Sequence, residues 1–126
     1  MATLKTTFSI SSTDLFDTVN ISKTVTDSLT IDGDNRQGLT VVKTAAGAFL
    51  ELTVEALSGA VDEKAYVYAK NLDLVDDIIF FDDGGQEFAM LGPEEFLFYP
   101  SADNTTIKVK SSANTPLLEY LILEVA

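Results

Sequence analysis

The chain lacks several residue types on which common activities depend. Its 126 residues include no cysteine, no histidine and no tryptophan. Without cysteine there can be no disulfide framework and no thiolate metal site. Without histidine the chain lacks the commonest general base and the commonest ligand of transition metals. We therefore predict a protein that is not an enzyme, with no catalytic residue, no metal ligand and no cofactor.

Basic residues are also scarce. Eight Lys and Arg residues stand against 20 Asp and Glu residues, which gives a net charge of −12 and a sequence pI near 4.1. A chain this acidic repels nucleic acid and anionic membrane surfaces. No apolar run approaches the roughly 18 residues that span a bilayer, and residues 1–5 lack the apolar core of a signal peptide. We predict neither nucleic acid nor a membrane as a partner.

The residues that are present follow the pattern of β-strands. From 19 to 31, apolar residues occupy odd positions while Ser, Thr and Asn occupy even ones, which predicts a strand with one wet face. Lys23 and Asp27 interrupt the apolar positions, and we expect the strand to bend, bulge or reach the sheet rim there. The whole chain shows about nine or ten such strands with turn signals roughly every ten residues and no helical pattern.

This pattern predicts an all-β protein folded as an antiparallel β-sandwich. A jelly-roll-like sandwich fits best because the strand count is high, and an immunoglobulin-like sandwich is the alternative. Length and composition predict one domain over residues 1–126, since no linker, repeat or low-complexity segment divides the chain.

Three segments are apolar at both odd and even positions: residues 78–81, 96–99 and 117–125. A strand that is apolar on both faces needs cover on both faces, so the last segment is predicted to lie centrally in a sheet. A two-layer domain has only one interior. Either another chain or long loops must then cover one outer face, and we favour contact between subunits.

Acidic turns offer the remaining chemistry. The turn that begins at Asp32 starts like a calcium loop but lacks the glycine and the bidentate glutamate of that motif. A non-standard calcium site could use Asp82, Asp83 and Glu87, or Asp76 and Asp77; the alternative is that these aspartates simply cap their own turns.

A pair of carboxylates is the catalytic apparatus of glycoside hydrolases. Glu94 and Glu95 are adjacent, however, and neighbours on a strand point to opposite faces, so the two side chains cannot act on the same glycosidic bond.

Three runs in the second half resemble small virion proteins of tailed bacteriophages, of the head-decoration (cement) or fibre-like type. These are residues 65–71, which end in Lys-Asn, residues 91–100, a Gly-Pro turn followed by an aromatic strand, and residues 118–124, a closing Leu-Glu-Tyr strand. The resemblance covers about residues 64–125.

The resemblance implies a structural protein on the exterior of a virus capsid, made in the host cytoplasm. Such a protein binds the major capsid protein, bridges capsid subunits and stabilises the head, and a dimer or trimer is implied. The aromatic residues predicted to make the subunit or capsid contacts are Tyr66, Tyr68, Phe96, Phe98 and Tyr120. The alternative is a tail, fibre or lectin-like module that recognises a surface glycan.

Overall fold

The computed structural model describes residues 2–13, 21–31, 39–52, 64–102 and 107–124, and these contain ten β-strands and no helix. The strand count and the all-β class agree with the prediction from the sequence. The strands are β1 (Ala2–Ser12), β2 (Ile21–Ile31), β3 (Thr40–Lys43), β4 (Leu50–Leu52), β5 (Lys64–Asn71), β6 (Ile78–Phe81), β7 (Glu87–Leu91), β8 (Phe96–Ala102), β9 (Ile107–Ser111) and β10 (Leu117–Glu124).

The chain divides into two compact units. One comprises Met1–Gly33 with Ala126, and the other comprises Asp34–Val125. Strands β1 and β2 belong to the first unit, and the other eight strands belong to the second. The prediction of a single sandwich domain over residues 1–126 stays a prediction.

Strands β1 and β2 form a two-stranded antiparallel sheet, which we call the ribbon. Its register runs without interruption from Ala2 opposite Ile31 to Ser12 opposite Ile21. Of the bend, bulge or sheet rim expected at Lys23 and Asp27, the register excludes the bulge, and both residues lie on a strand that pairs with β1 alone among the described strands. Alternation of side chains along both strands explains the regular pairing, because it keeps most Ser and Thr residues on one face and places most apolar residues, together with Lys23 and Asp27, on the other.

The second unit contains two four-stranded antiparallel sheets, which confirms the predicted sandwich. Their strand orders are β3-β10-β5-β8 and β4-β9-β6-β7. The chain passes from one sheet to the other at every connection except that between β6 and β7. Strand β10 lies between β3 and β5, so the strand predicted to be central is central.

The core lies between the inner faces of these two sheets. Strand β10 contributes Leu118 and Ile122, and β6 contributes Ile78 and Phe80, all of them at most 1% exposed. Burying such side chains is the main stabilising contribution, at roughly 1.5–3 kcal/mol for each. The remaining buried members of this cluster are Leu52, Ala65, Val67, Ala69, Leu91, Ile107, Val109 and Tyr120.

Buried polar side chains join strand ends to the loops beside them. The Asn71 side chain is fully buried and donates to the backbone carbonyls of Asp76, Leu91 and Gly92. Its Oδ1 accepts from the backbone N–H of Asp73 at 2.9 Å. An amide satisfies these four groups at once, which explains why a polar residue is stable in this buried position.

A glycine and a proline occupy two special backbone positions. Residues 82–85 form the turn that joins β6 to β7, and Gly85 has a φ of +82°, which suits glycine. Proline is unusual inside a strand, but β8 continues through Pro100 to Ala102. Since β8 is at the edge of its sheet, the missing N–H of proline removes no necessary ladder bond.

Candidate interaction surface

Four of the five predicted contact residues lie on one surface, the outer face of the β3-β10-β5-β8 sheet. Tyr66 and Tyr68 alternate on β5 with core residues, and Phe96 and Phe98 do so on β8. Phe98 pairs directly with Tyr68 across the two strands. Directly paired residues share a face, so these side chains form one patch, which we call the aromatic face.

Aromatic rings on this face pack against each other while leaving apolar surface open. The Tyr66 and Phe98 rings are stacked, with centroids 5.9 Å apart and an interplanar angle of 7°. Phe96 remains 59% exposed and Phe98 remains 41% exposed, whereas Tyr66 is only 9% exposed. Large apolar side chains half open to solvent on one side of a sheet are a feature of interaction surfaces.

Aliphatic residues of β10 extend the aromatic face. Leu123 is paired with Tyr66, and Leu121 is paired with Tyr68. With Pro100 and Phe98 on the other side of β5, the face has two apolar rows of three residues each. Strand parity in the sequence already placed Leu121 and Leu123 on the side of β10 opposite to the core residues. Nothing in the sequence, however, indicated that these two leucines are contact residues.

Charged groups lie at one end of the aromatic face. Lys70 is paired with Glu119 on one side and with Phe96 on the other. The Tyr68 hydroxyl donates to Oε1 of Glu119 at 3.0 Å. Burial, this hydrogen bond and the nearby negative charge together raise the pKa of Tyr68 above its usual 10.0. The apolar rows of the face are therefore bordered by charged groups at this end, and a polar rim is a feature of protein interfaces.

Tyr120, the fifth predicted residue, lies on the opposite side of β10. It is 5% exposed and belongs to the core between the sheets, with Leu118 and Ile122 beside it on the same strand face. Its side chain is therefore not part of the aromatic face. Successive side chains on a strand point to opposite faces, so Tyr120 points inward whereas Leu121 points outward.

The outer face of the β4-β9-β6-β7 sheet is different, and we call it the lysine-covered face. Phe49 packs edge-on against Phe81 with ring centroids 4.9 Å apart. The Lys110 ammonium lies 4.2 Å from the centroid of the Phe49 ring, and that of Lys108 lies 5.9 Å away. Both lysines are thus close enough to the ring for cation–π attraction.

Acidic side chains in the described turns are occupied by local hydrogen bonds. Asp82 accepts from the backbone N–H of Gln86, and Asp73 accepts from the N–H groups of Asp76 and Val75. These bonds lower the pKa of Asp73, the bond from Asp76 most of all. The capping interpretation therefore holds for Asp82 and Asp73, while the Asp83 carboxylate lies 3.7 Å from the Lys108 ammonium. The described residues contain no group of three or more His, Cys, Asp or Glu side chains placed to hold a metal ion.

Comparison with known proteins adds no relative to this description. No family model matches the chain, and neither a curated protein nor a solved structure matches it. Within the described ranges, no helix is long and apolar enough to cross a membrane. The candidate site thus depends on the chain's own geometry, and its strongest feature is the aromatic face.

Proposed function

We propose that this protein is a structural, non-enzymatic component of a virus particle. It acts as a decoration (cement) protein that binds the outer surface of the capsid and bridges capsid subunits. The observation that carries the proposal is the aromatic face, where Phe96 and Phe98 are open to solvent on a sheet whose other side is the core. A protein whose outer sheet face exposes such rings is suited to binding another protein surface.

The strand order supports this proposal at the level of architecture. Counted from β3, the eight sandwich strands have the orders 1-8-3-6 and 2-7-4-5, and the chain alternates between sheets. We propose that this arrangement is a jelly roll, an architecture found in viral capsid and lectin domains. The order is compatible with both proposed functions, so the choice between them depends on the surface.

The size of the aromatic face supports repeated, weak contacts. Three strands about 4.8 Å apart and two rows about 7 Å apart give an apolar patch on the order of 200 Å². A standard interface buries about 800 Å² from each partner, so this patch supplies only the centre of one. Contacts of this size become stable when a symmetrical particle repeats them, which is the setting of a capsid exterior.

Glycan recognition is less well supported by the same residues. A glycan site combines aromatic stacking with several polar groups directed at the sugar. The two apolar rows of the aromatic face are formed by Leu, Pro, Phe and Tyr, and the Tyr68 hydroxyl already donates to Glu119. The capsid-binding proposal therefore ranks first, and a tail or fibre role is an outcome of the test below.

The first experiment measures the copy number of this chain in purified virus particles by quantitative mass spectrometry. We expect a simple ratio to the major capsid protein, as a symmetrical decoration requires. A few copies per particle would contradict capsid decoration and favour the tail or fibre role. Absence from particles would contradict every virion role.

A matched pair of variants tests the surface. Phe98→Asp adds a charge to the aromatic face, and Met90→Asp adds one to the exposed outer side of β7, where Met90 is 55% exposed. We expect the first variant to lose particle binding at least about tenfold because it buries an unpaired carboxylate in the interface, and the second to bind normally. Equal binding by both variants, with equal thermal stability, would contradict the assignment of the aromatic face.

A further inference from the structure

The ribbon carries a second exposed apolar surface, distinct in chain position from the aromatic face. Phe8 is 53% exposed, Ile10 is 47% exposed and Val25 is 49% exposed. Leu4 and Leu29 are paired on the same side of the ribbon. A two-stranded sheet is only marginally stable in water without further strands or a covering surface. This apolar side therefore requires a partner surface.

The other side of the ribbon is polar throughout. Pairs of Ser and Thr face each other along it, with the Thr7 and Thr26 hydroxyl oxygens 3.4 Å apart and those of Ser9 and Thr24 3.3 Å apart. Hydroxyl groups that hydrogen-bond to each other and to water need no cover. The two sides are thus chemically distinct, and any partner is expected on the apolar side alone.

Two opposite charges sit symmetrically on the apolar side. Lys23 and Asp27 each lie two residues from Val25 on β2, and Val25 is paired with Phe8 on β1. The centre of this side is therefore apolar, with a positive group at one end and a negative group at the other. At about 3.4 Å per residue, the two charged residues are about 13 Å apart, too far to pair within one ribbon.

We propose that the apolar side of the ribbon packs face to face against the same side of a second copy of this chain. The two-fold axis lies in the interface at the level of Phe8 and Val25, and strands of the two copies run antiparallel. Each of these residues then packs on its own counterpart, and Lys23 of each copy faces Asp27 of the other. Such a surface is complementary to itself, as an isologous interface must be.

The dimensions permit the charge pairs to form. Sheets that pack face to face lie about 10 Å apart, with side chains from both filling the space between them. A lysine and an aspartate that extend from opposite sheets can together span this gap. Two pairs form for each dimer, one at each end of the Phe8 and Val25 centre.

The distribution of charge also favours the ribbon as the contact between copies. Residues 34–125 hold 16 of the 20 acidic residues and six of the eight basic ones, so this unit has a net charge of −10. Residues 1–33, which contain the ribbon, hold the other four acidic and two basic residues, for a net charge of only −2. Two copies therefore approach through the ribbon with less electrostatic repulsion than through the sandwich.

The size of the surface predicts a weak dimer. A ribbon of 11-residue strands is about 37 Å long and about 10 Å wide, so two copies bury on the order of 700 Å² in total. Stable dimers usually bury at least about 1,200 Å². The association is therefore expected to depend on concentration and to be measurable by sedimentation equilibrium up to about 1 mM.

The test compares two variants that change the net charge equally. Lys23→Asp places two carboxylates against each other at both ends of the interface, and we expect dimerisation to weaken about tenfold or more. Lys5→Asp makes the same charge change on the polar side, where Lys5 is paired with Ser28, and we expect wild-type association. Circular dichroism confirms that both variants keep their β-structure.

A mixing experiment makes the result specific. Asp27→Lys on its own is expected to weaken dimerisation as Lys23→Asp does, because it places two lysines against each other at each end of the interface. An equal mixture of these two variants restores both attractive pairs, so we expect the mixture to associate like the wild type. A monomeric wild type at the highest concentration, equal weakening by Lys5→Asp, or no recovery on mixing would overturn the proposal. The ribbon dimer does not depend on particle binding. A Phe98→Asp variant that still binds particles would therefore contradict the proposed function without contradicting the dimer.

Discussion

The two outer faces of the sandwich use aromatic residues in different ways. On the aromatic face, Phe96 and Phe98 stay 59% and 41% exposed, and the Phe98 ring stacks on the Tyr66 ring with no ammonium group of the described residues over it. On the lysine-covered face, Phe81 is 9% exposed; Phe49 is 45% exposed, but the Lys110 ammonium lies 4.2 Å from the centroid of its ring. Both faces belong to four-stranded antiparallel sheets, so the scaffold does not explain the difference.

The difference shows that the groups around an aromatic residue decide what its surface can bind. Lysine has a long apolar stem that covers a ring while its ammonium stays in water. A partner of the lysine-covered face would have to displace or desolvate those ammonium groups. A partner of the aromatic face meets apolar rings directly.

The largest expected effect separates the inner side of the sandwich from its outer side. Phe80 is fully buried, so Phe80→Ala is expected to lower the free energy of unfolding by about 3–5 kcal/mol. Phe98→Ala loses only the stacking with Tyr66 and partial burial, and about 1 kcal/mol is expected. Urea denaturation of both variants measures the difference.

Under the proposed function, the same two variants reduce particle binding for different reasons. Phe98→Ala is expected to weaken particle binding with little loss of stability, whereas Phe80→Ala reduces the amount of folded protein. A loss of stability above about 3 kcal/mol for Phe98→Ala would show that the aromatic face is part of the folded core. The contrast between the inner and outer sides of the sandwich would then be wrong.

A second prediction concerns the effect of one half-buried tyrosine on the pH dependence of stability. Tyr99 lies on the inner side of β8, and burial raises its pKa to about 12. In the unfolded chain it ionises near 10.0, so above that pH the unfolded state binds fewer protons than the folded state. Stability from this group is fully present below pH 10 and falls between pH 10 and 12.

Tyr99→Phe is the matched variant for this prediction. It removes the ionisable group but keeps the ring, so its stability should fall less steeply above pH 10 than that of the wild type. Thermal unfolding at a series of pH values measures the slope. Equal slopes for the two proteins would mean that the Tyr99 hydroxyl reaches water freely in the folded state.

Strand parity predicted much of this structure from the sequence. The final segment is apolar at both odd and even positions, and β10 lies centrally with Leu118 and Ile122 in the core. The same parity places Leu121 on the outer side. An antiparallel sheet makes such predictions reliable because the side-chain period is two and a shift of one residue exposes the core.

The remaining features depend on contacts between distant segments. Tyr66 and Tyr120 are both tyrosines on apolar strands, yet one lies on the aromatic face and the other in the core. Nothing near Phe49 in the sequence indicates that Lys110, 61 residues later, lies over its ring. Composition and period therefore predicted the strands, while the pairing of strands determined which surfaces stay open.

The smallest expected effect concerns the cation–π contact between Lys110 and Phe49 on the lysine-covered face. Lys110→Met keeps the long stem and removes the charge above Phe49, so the free energy of unfolding should fall by about 0.5–1 kcal/mol. Lys43→Met makes the same change at an exposed position on the outer side of β3, and a change within about 0.5 kcal/mol is expected. Equal effects of the two variants would mean that Lys110 covers Phe49 with its stem alone. Charge would then contribute nothing to the difference between the two outer faces.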